Sequence, residues 1–266
     1  MNKNKVSYLI SGVVLILSML ACNLGHGPST SGATPPPQDT TNPTAQAPAN
    51  NSSGSSTGAC ANPYLPIVTG ATWDYKATGI VSDTFTRSIV SVEAGGFTDQ
   101  DVFGKGLTRQ GKWNCDNGSL VELDPSGGPS ASVTMKNVSV DFKTTELSGV
   151  TLPAAVKAED TWTQNTTLEG TETINGKSIP AKNKFTNTCK ADGVESVTVA
   201  AGTFNAMKVE CQTVMDISLT MQGSPINTNL TFNSTIWYAE KVGMVKTSAS
   251  GTGFDSTIEL TSYKIP

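Results

Sequence analysis

The sequence predicts an all-β fold of mainly antiparallel strands with few short helices, reached through a disordered N-terminal tether. Three observations predict it. Apolar and polar residues alternate with a period of two in many stretches, as half-buried strands require. Turn residues divide these stretches at short intervals. No long 3.6-residue pattern runs through the 266 residues, and the best helix candidate, Ala154 to Asp160, is short and weak.

Residues 1–21 have the parts of a secretory signal. Lys3 and Lys5 form a positive start, Val6 to Leu20 is an uncharged and mostly apolar run, and Ala21 precedes Cys22. A run of about 15 residues is short for a membrane span, which needs about 20. Met19-Leu20-Ala21-Cys22 resembles the lipobox of bacterial lipoproteins. The resemblance implies cleavage before Cys22 and a diacylglycerol on its sulfur. Two or more acyl chains hold a protein stably to a membrane, where one does not.

Residues 22–58 carry this acylated cysteine and are otherwise rich in Pro, Ser, Thr, Gly, Asn, Ala and Gln. Such a segment buries too little apolar surface to offset its ordering entropy, so disorder is expected. As a flexible coil of about 36 residues it spans on the order of 30 Å. The only histidine, His26, lies in it.

Residues 59–266 form the expected folded domain. Val133-Thr134-Met135 leads into Val138-Ser139-Val140, and Ser196-Val197-Thr198-Val199 and Met207-Lys208-Val209-Glu210-Cys211 alternate. Thr257-Ile258-Glu259-Leu260-Thr261 does so near the C-terminus. The turn signals are Asp116-Asn117-Gly118, Pro125-Ser126-Gly127-Gly128-Pro129, Asn175-Gly176 and Ala201-Gly202. Asn175-Gly176 marks the clearest hairpin.

Three motif pairs recur in the same order and suggest a loose duplication with halves 59–130 and 131–266. Leu65-Pro66 leading to Thr72-Trp73 matches Leu152-Pro153 leading to Thr161-Trp162. Ser91-Val92-Glu93-Ala94-Gly95-Gly96-Phe97 matches Thr198-Val199-Ala200-Ala201-Gly202-Thr203-Phe204. Trp113 followed by Gly118-Ser119-Leu120-Val121 matches Trp237 followed by Val242-Gly243-Met244-Val245. Two similar sheets would then pack together or continue into one curved sheet. The tryptophans read as core residues.

After Cys22 four cysteines remain: Cys60, Cys115, Cys189 and Cys211. An even number in an exported domain points to two disulfides, with three connectivities open. Cys60–Cys115 with Cys189–Cys211 is the favoured set, because Cys189 and Cys211 flank strands that can pair around Ala200-Ala201-Gly202. No Cys-x-x-Cys occurs and residues 59–266 lack histidine, so no metal site is expected.

The absence of histidine also removes Ser-His-Asp and Cys-His devices from the domain. No phosphate-binding loop or dinucleotide fingerprint is present, and no cofactor is expected. Asp99, Asp101, Glu122, Asp124, Glu195, Glu210 and Asp216 are the available carboxylates. Most alternate with apolar residues, as solvent-facing strand positions do. Asp99-Gln100-Asp101 near Gly104 begins like a calcium loop but lacks its further ligand spacing. Acidic residues outnumber basic ones, 22 to 18, and no Lys/Arg cluster forms a phosphate-binding surface, so nucleic acid is not an expected partner.

Glu195-Ser196-Val197-Thr198-Val199-Ala200-Ala201-Gly202-Thr203-Phe204, then Met207-Lys208-Val209 and Ile236-Trp237-Tyr238-Ala239 leading to Val242-Gly243-Met244-Val245-Lys246, resemble the TapB-like family of exported bacterial proteins. Tyr64-Leu65-Pro66 and Gly70-Ala71-Thr72-Trp73-Asp74-Tyr75 resemble the family's start. Taken alone, Trp237-Tyr238 reads as the start of a strand broken near Lys241-Val242-Gly243. The resemblance carries over no catalytic residues. It implies a curved antiparallel sheet or half-barrel, similar to that of lipoprotein carriers that bind acyl chains on a concave face. The expected protein is a non-enzymatic envelope lipoprotein, anchored to a membrane and facing outside the cytoplasm, that binds an apolar or amphipathic ligand. The alternatives are a structural or interaction protein displayed at the surface and a carboxylate-based hydrolase.

Overall fold

The computed structural model describes residues 58–266 except 80–81, 105, 125–132, 136–137, 175, 222–223 and 252–253. The expected signal peptide, Cys22 and the expected tether up to residue 57 lie outside the described residues. So do the turn signal at 125–129, Asn175 and the 130/131 boundary of the expected halves.

Thirteen strands form one antiparallel sheet. They are β1 (Thr72–Gly79), β2 (Asp83–Glu93), β3 (Gly96–Phe103), β4 (Thr108–Asp116), β5 (Ser119–Asp124), β6 (Val133–Met135), β7 (Val138–Gly149), β8 (Thr161–Ile174), β9 (Lys177–Val199), β10 (Gly202–Met221), β11 (Ser224–Ala239), β12 (Gly243–Gly251) and β13 (Phe254–Lys264). Strands adjacent in sequence pair throughout, except β5 with β6, and β1 pairs with β13. The two edges of the sheet are therefore consecutive strands.

These edges meet again. Leu120 of β5 bridges Leu152 in both directions, at 2.8 and 3.1 Å. Glu122 N donates to Thr151 Oγ1 at 2.8 Å, and Thr144 Oγ1 donates to Leu123 O. The result is a nearly closed barrel whose seam, where β5 meets β7 and the residues just after it, rests on a few backbone and side-chain bonds rather than a continuous ladder.

The local chemistry follows the sequence in most places. Asn117 (φ 48°) and Gly118 (φ 87°) form a two-residue turn of the kind that matches strand twist. Ile174 pairs with Lys177 across the Asn175-Gly176 position. Two expectations are corrected. Ala154 to Asp160 is not helical, and among the described residues the helical content is one 3-10 turn, Gly58–Cys60. Glu159 takes a φ of 73°, Glu159 N donates to Ala191 O at 2.7 Å, and Ala191 N donates to Asp160 O at 2.9 Å. Bonds to the edge of a bulge in β9 win over a helix too short to offset its nucleation. Trp237-Tyr238 ends a strand rather than beginning one, and the chain turns after Ala239.

One end of the barrel is filled. Residues 58–71 cross it as a strap. Gly118 N donates to Ala59 O and Lys241 N to Pro63 O, each at 2.8 Å. Asn62 Nδ2 reaches Gly118 O at 2.8 Å and Pro153 O at 3.0 Å. Cys60, Tyr64, Ile67 and Ala71 pack there with Trp73, Leu120 and Leu152. A disulfide joins Cys60 in the strap to Cys115 in β4. Trp73 also donates from Nε1 to Val242 O at 2.6 Å, which satisfies its polar atom inside the core.

The other end is different. β12 and β13 turn where Gly251 faces Phe254, level with Phe232 of β11. β8 to β11 run 14 to 23 residues and continue past that level. With the first part of β7 they make a trough that overhangs the barrel. A second disulfide, Cys189–Cys211, links β9 and β10 directly across the ladder near its base.

Candidate functional site

The inner face of the trough is set by register. Leu168 faces Asn183, Asn183 faces Ile217, and Ile217 faces Thr228. Phe185 faces Met215, which faces Leu230. Phe142, Leu168, Ala181, Met215 and Leu219 are buried. Ile179, Phe185, Ile217, Ile226 and Leu230 on the same face are only half-buried among the described residues. The alternating positions Lys184, Thr186, Asp216, Asn227 and Asn229 are exposed. The polarity is thus apolar inside and polar outside, opposite to the lipid-facing apolar band of a transmembrane barrel.

Two polar side chains interrupt this wall. Glu172 is 6 % exposed and Asn183 3 %. Glu172 Oε2 and Asn183 Oδ1 have no hydrogen-bond partner among the described residues. Burial raises the Glu172 carboxyl above its ordinary value. Its proton is therefore held to higher pH in the folded chain than in the unfolded one, and stability falls as pH rises above the ordinary glutamate range. Glu172→Gln is expected to leave the urea midpoint unchanged near pH 4 and to raise it at pH 8. A midpoint difference that does not vary with pH contradicts this assignment.

Halfway round the sheet from the long strands, β2, β3 and β4 carry a charged cluster. Arg87 donates from Nε and Nη2 to the two oxygens of Asp101, both at 2.8 Å. Arg87 Nε stands 3.8 Å from Asp99 Oδ2. Burial works against the Arg87 cation, but Asp101 and then Asp99 outweigh it and hold the guanidinium charged. Burial raises the Asp99 carboxyl, while Arg87 opposes the rise. The Trp113 indole and the Gly111 N–H, both directed at the Asp99 carboxyl, also oppose the rise. Arg109 stacks on Phe103, with its guanidinium carbon 5.0 Å from the ring centre. Tyr75 and Tyr238 face this group, and burial pushes the Tyr238 hydroxyl up to about 12.

Asp99 and Asp101 were expected to face solvent; each is 2 % exposed. They share strand parity with Phe97 and Phe103, and that parity turns all four inward. The same signal marks Arg87, which alternates with Phe85 and Ile89 but was not singled out from the sequence. Arg109 and Trp113 were likewise missed as polar inner groups. Glu122 stands opposite Trp113 in β5 and its charge bears on Tyr238, whereas three other carboxylates lie away from the cluster. Glu195, Glu210 and Asp216 are exposed, and they bond to Trp237, Lys208 and Asn229 respectively. Asp99-Gln100-Asp101 lies in mid-strand, where its carboxylates meet Arg87.

An open pocket of about 470 Å³ lies outside this inner face. Tyr64, Val194, Phe204, Met207 and Val242 line part of it.

A family model described as DUF3108-like matches residues 90–264. The segments 195–209 and 236–246, read in the sequence as TapB-like, fall within that span, but the family that matches there is the DUF3108-like one. No curated protein matches the sequence at a significant level. Among solved structures, a candidate lipoprotein from Parabacteroides distasonis is 19 % identical, with a TM-score of 0.50 over 76 % of this chain and 99 % of the other. A candidate exported protein with a YmcC-like fold from Bacteroides fragilis is 13 % identical, with a TM-score of 0.45 over 77 % and 100 %. The hypothetical lipoprotein YmcC of Escherichia coli is 9 % identical, with a TM-score of 0.35 over 75 % and 86 %.

Proposed function

The chain belongs to the DUF3108-like family, and from that premise we propose that it is a lipid-anchored envelope protein that holds an amphipathic ligand along the inner face of its barrel. One observation carries the ligand reading. The trough presents Ile179, Phe185, Ile217, Ile226 and Leu230 as a concave, half-buried apolar wall. Concave apolar surface with a few convergent polar groups is the usual form of a small-molecule site. The anchor reading rests on the lipobox resemblance of Met19-Leu20-Ala21-Cys22. The description of the Parabacteroides distasonis relative as a candidate lipoprotein supports it.

Binding is favoured over hydrolysis by how the inner carboxylates are held. Asp99 and Asp101 project from one strand, and Arg87 reaches both. A carboxylate pair for glycoside hydrolysis instead flanks the scissile bond from two sides.

Native mass spectrometry of the full chain taken from its own envelope tests the reading. A non-covalent adduct of acyl-bearing mass is expected beyond the covalent anchor. Leu230→Asp, which puts a charge on the inner wall, is expected to lower its occupancy at least tenfold. Wild-type protein without an adduct, or equal occupancy in the variant, contradicts the proposal.

A further inference from the structure

The open pocket of about 470 Å³ lies beside the strap, at the filled end of the barrel. Register assembles its walls. Val194 in β9 pairs with Met207 in β10, which pairs with Tyr238 in β11. Ala206 pairs with Ala239, after which the chain turns through Glu240 into β12. Lys241 N donates to Pro63 O at 2.8 Å, so the strap ties this turn down next to Tyr64. The Tyr64 ring stands 6.4 Å from that of Tyr238. The pocket's volume falls in the range of small-molecule sites, about 300–1,000 Å³.

The lining is mainly apolar and carries one charge. Phe204, Met207 and Ala239 in it are buried, but Val194 is 63 % exposed, the most open large apolar side chain among the described residues. Such surface is what a ligand removes from water. Glu240 is the lining's one carboxylate, and no Lys or Arg is among the described residues that line the pocket. No ion pair among the described residues engages Glu240. Burial raises the Tyr64 hydroxyl, and the charge of Glu240 adds to the rise. That carboxylate is therefore felt on the Tyr64 side of the pocket.

The combination selects by charge. An anionic ligand sets its charge against Glu240 and finds no cation in the lining. A wholly apolar one covers Val194 but strips water from a carboxylate without replacing it, which costs free energy. An ammonium answers the carboxylate with a charge-assisted hydrogen bond, and its apolar body covers the open valine. We propose that this pocket binds a small amphipathic cation, with Glu240 as its counter-ion and Val194, Phe204, Met207 and Val242 as its apolar seat. The site is separate from the trough and does not depend on the ligand proposed there.

The test uses the full chain in phosphatidylcholine nanodiscs, with empty nanodiscs as the blank. Three fluorinated probes share a trifluoromethylphenyl group on a short alkyl arm that ends in an ammonium, a hydroxyl or a carboxylate. Their affinities are read by fluorine NMR of the ligand. The ammonium probe is expected to bind about fivefold more tightly than the hydroxyl probe, the size of an exposed ion pair, and the carboxylate probe most weakly. Glu240→Gln is expected to remove the ammonium preference and leave the hydroxyl probe unchanged. Val194→Arg, which sets a cation at the pocket's edge, is expected to abolish ammonium binding. Both side chains are exposed, so neither substitution disturbs the core. Failure of all three probes to bind, or a carboxylate probe that binds as well as the ammonium, overturns the proposal. Ammonium binding that survives both substitutions also overturns it, by placing the amine elsewhere on the protein.

Discussion

Replacing Arg87 by methionine is expected to cost about 3–5 kcal/mol of folding stability, the usual penalty for removing one partner of a buried ion pair. The penalty falls on the carboxylates left behind. The Arg87 side chain keeps 24 % of its surface open, whereas those of Asp99 and Asp101 keep 3 % each. Without Arg87 two neighbouring carboxylates would remain buried on one strand. Neutralising one of them is expected to recover part of the loss, so Arg87→Met with Asp101→Leu should be more stable than Arg87→Met alone. Urea unfolding of the four proteins of this cycle measures the coupling. A loss below about 1 kcal/mol in Arg87→Met, the range of exposed pairs, contradicts the buried-cluster account.

Removing the Cys60–Cys115 disulfide is expected to cost more than removing Cys189–Cys211. The bridged residues are 55 apart in the first and 22 apart in the second. In the chain-entropy model these loops correspond to about 4 and about 3 kcal/mol. The structural consequences also differ. Cys60 holds the strap against β4, so its loss should raise hydrogen exchange in residues 58–71 and across the filled end. Cys189 and Cys211 already face each other in a continuous ladder, so their loss should leave exchange at the strap unchanged. Equal losses of stability, with no change of exchange at the strap, contradict this assignment.

The strands were legible in the sequence because their determinants are local. Met207 to Cys211 alternates and lies in β10, and Asn117-Gly118 turns where its residue types require. Closure of the barrel was not legible. It depends on pairing β1 with β13, as between Trp73 and Tyr263, and no local pattern encodes a partner so distant in the chain. The strap was hidden for a different reason. Residues 58–71 hold their place through backbone groups, Asn62, the Cys60 bridge and a few irregularly spaced buried side chains, so they carry no period. The charged cluster was partly legible. Asp99 and Asp101 stood out as carboxylates, but alternation alone does not say which face is inner. The flanking Phe97 and Phe103 supply that information, since a strand does not send its phenylalanines inward and the aspartates between them at the same parity outward.

The apolar trough depends on strand length more than on composition. β9 alone spans 23 residues, and nothing in Lys177–Val199 other than its uninterrupted alternation announces that the neighbouring hairpin of β12 and β13 stops short of it. That mismatch is what leaves Phe185, Ile217 and Leu230 half-buried. It also gives the binding account its central claim, which is that a ligand's apolar part lies against them.

Photocrosslinking in intact envelopes tests that claim most directly. Benzoylphenylalanine is placed at Met215 on the inner face or at Lys184 on the outer face of the same wall, and crosslinked products are identified by mass spectrometry. The account predicts a discrete lipid-mass adduct from position 215 and none from position 184. Adducts from neither position, or the same adducts from both, would contradict it.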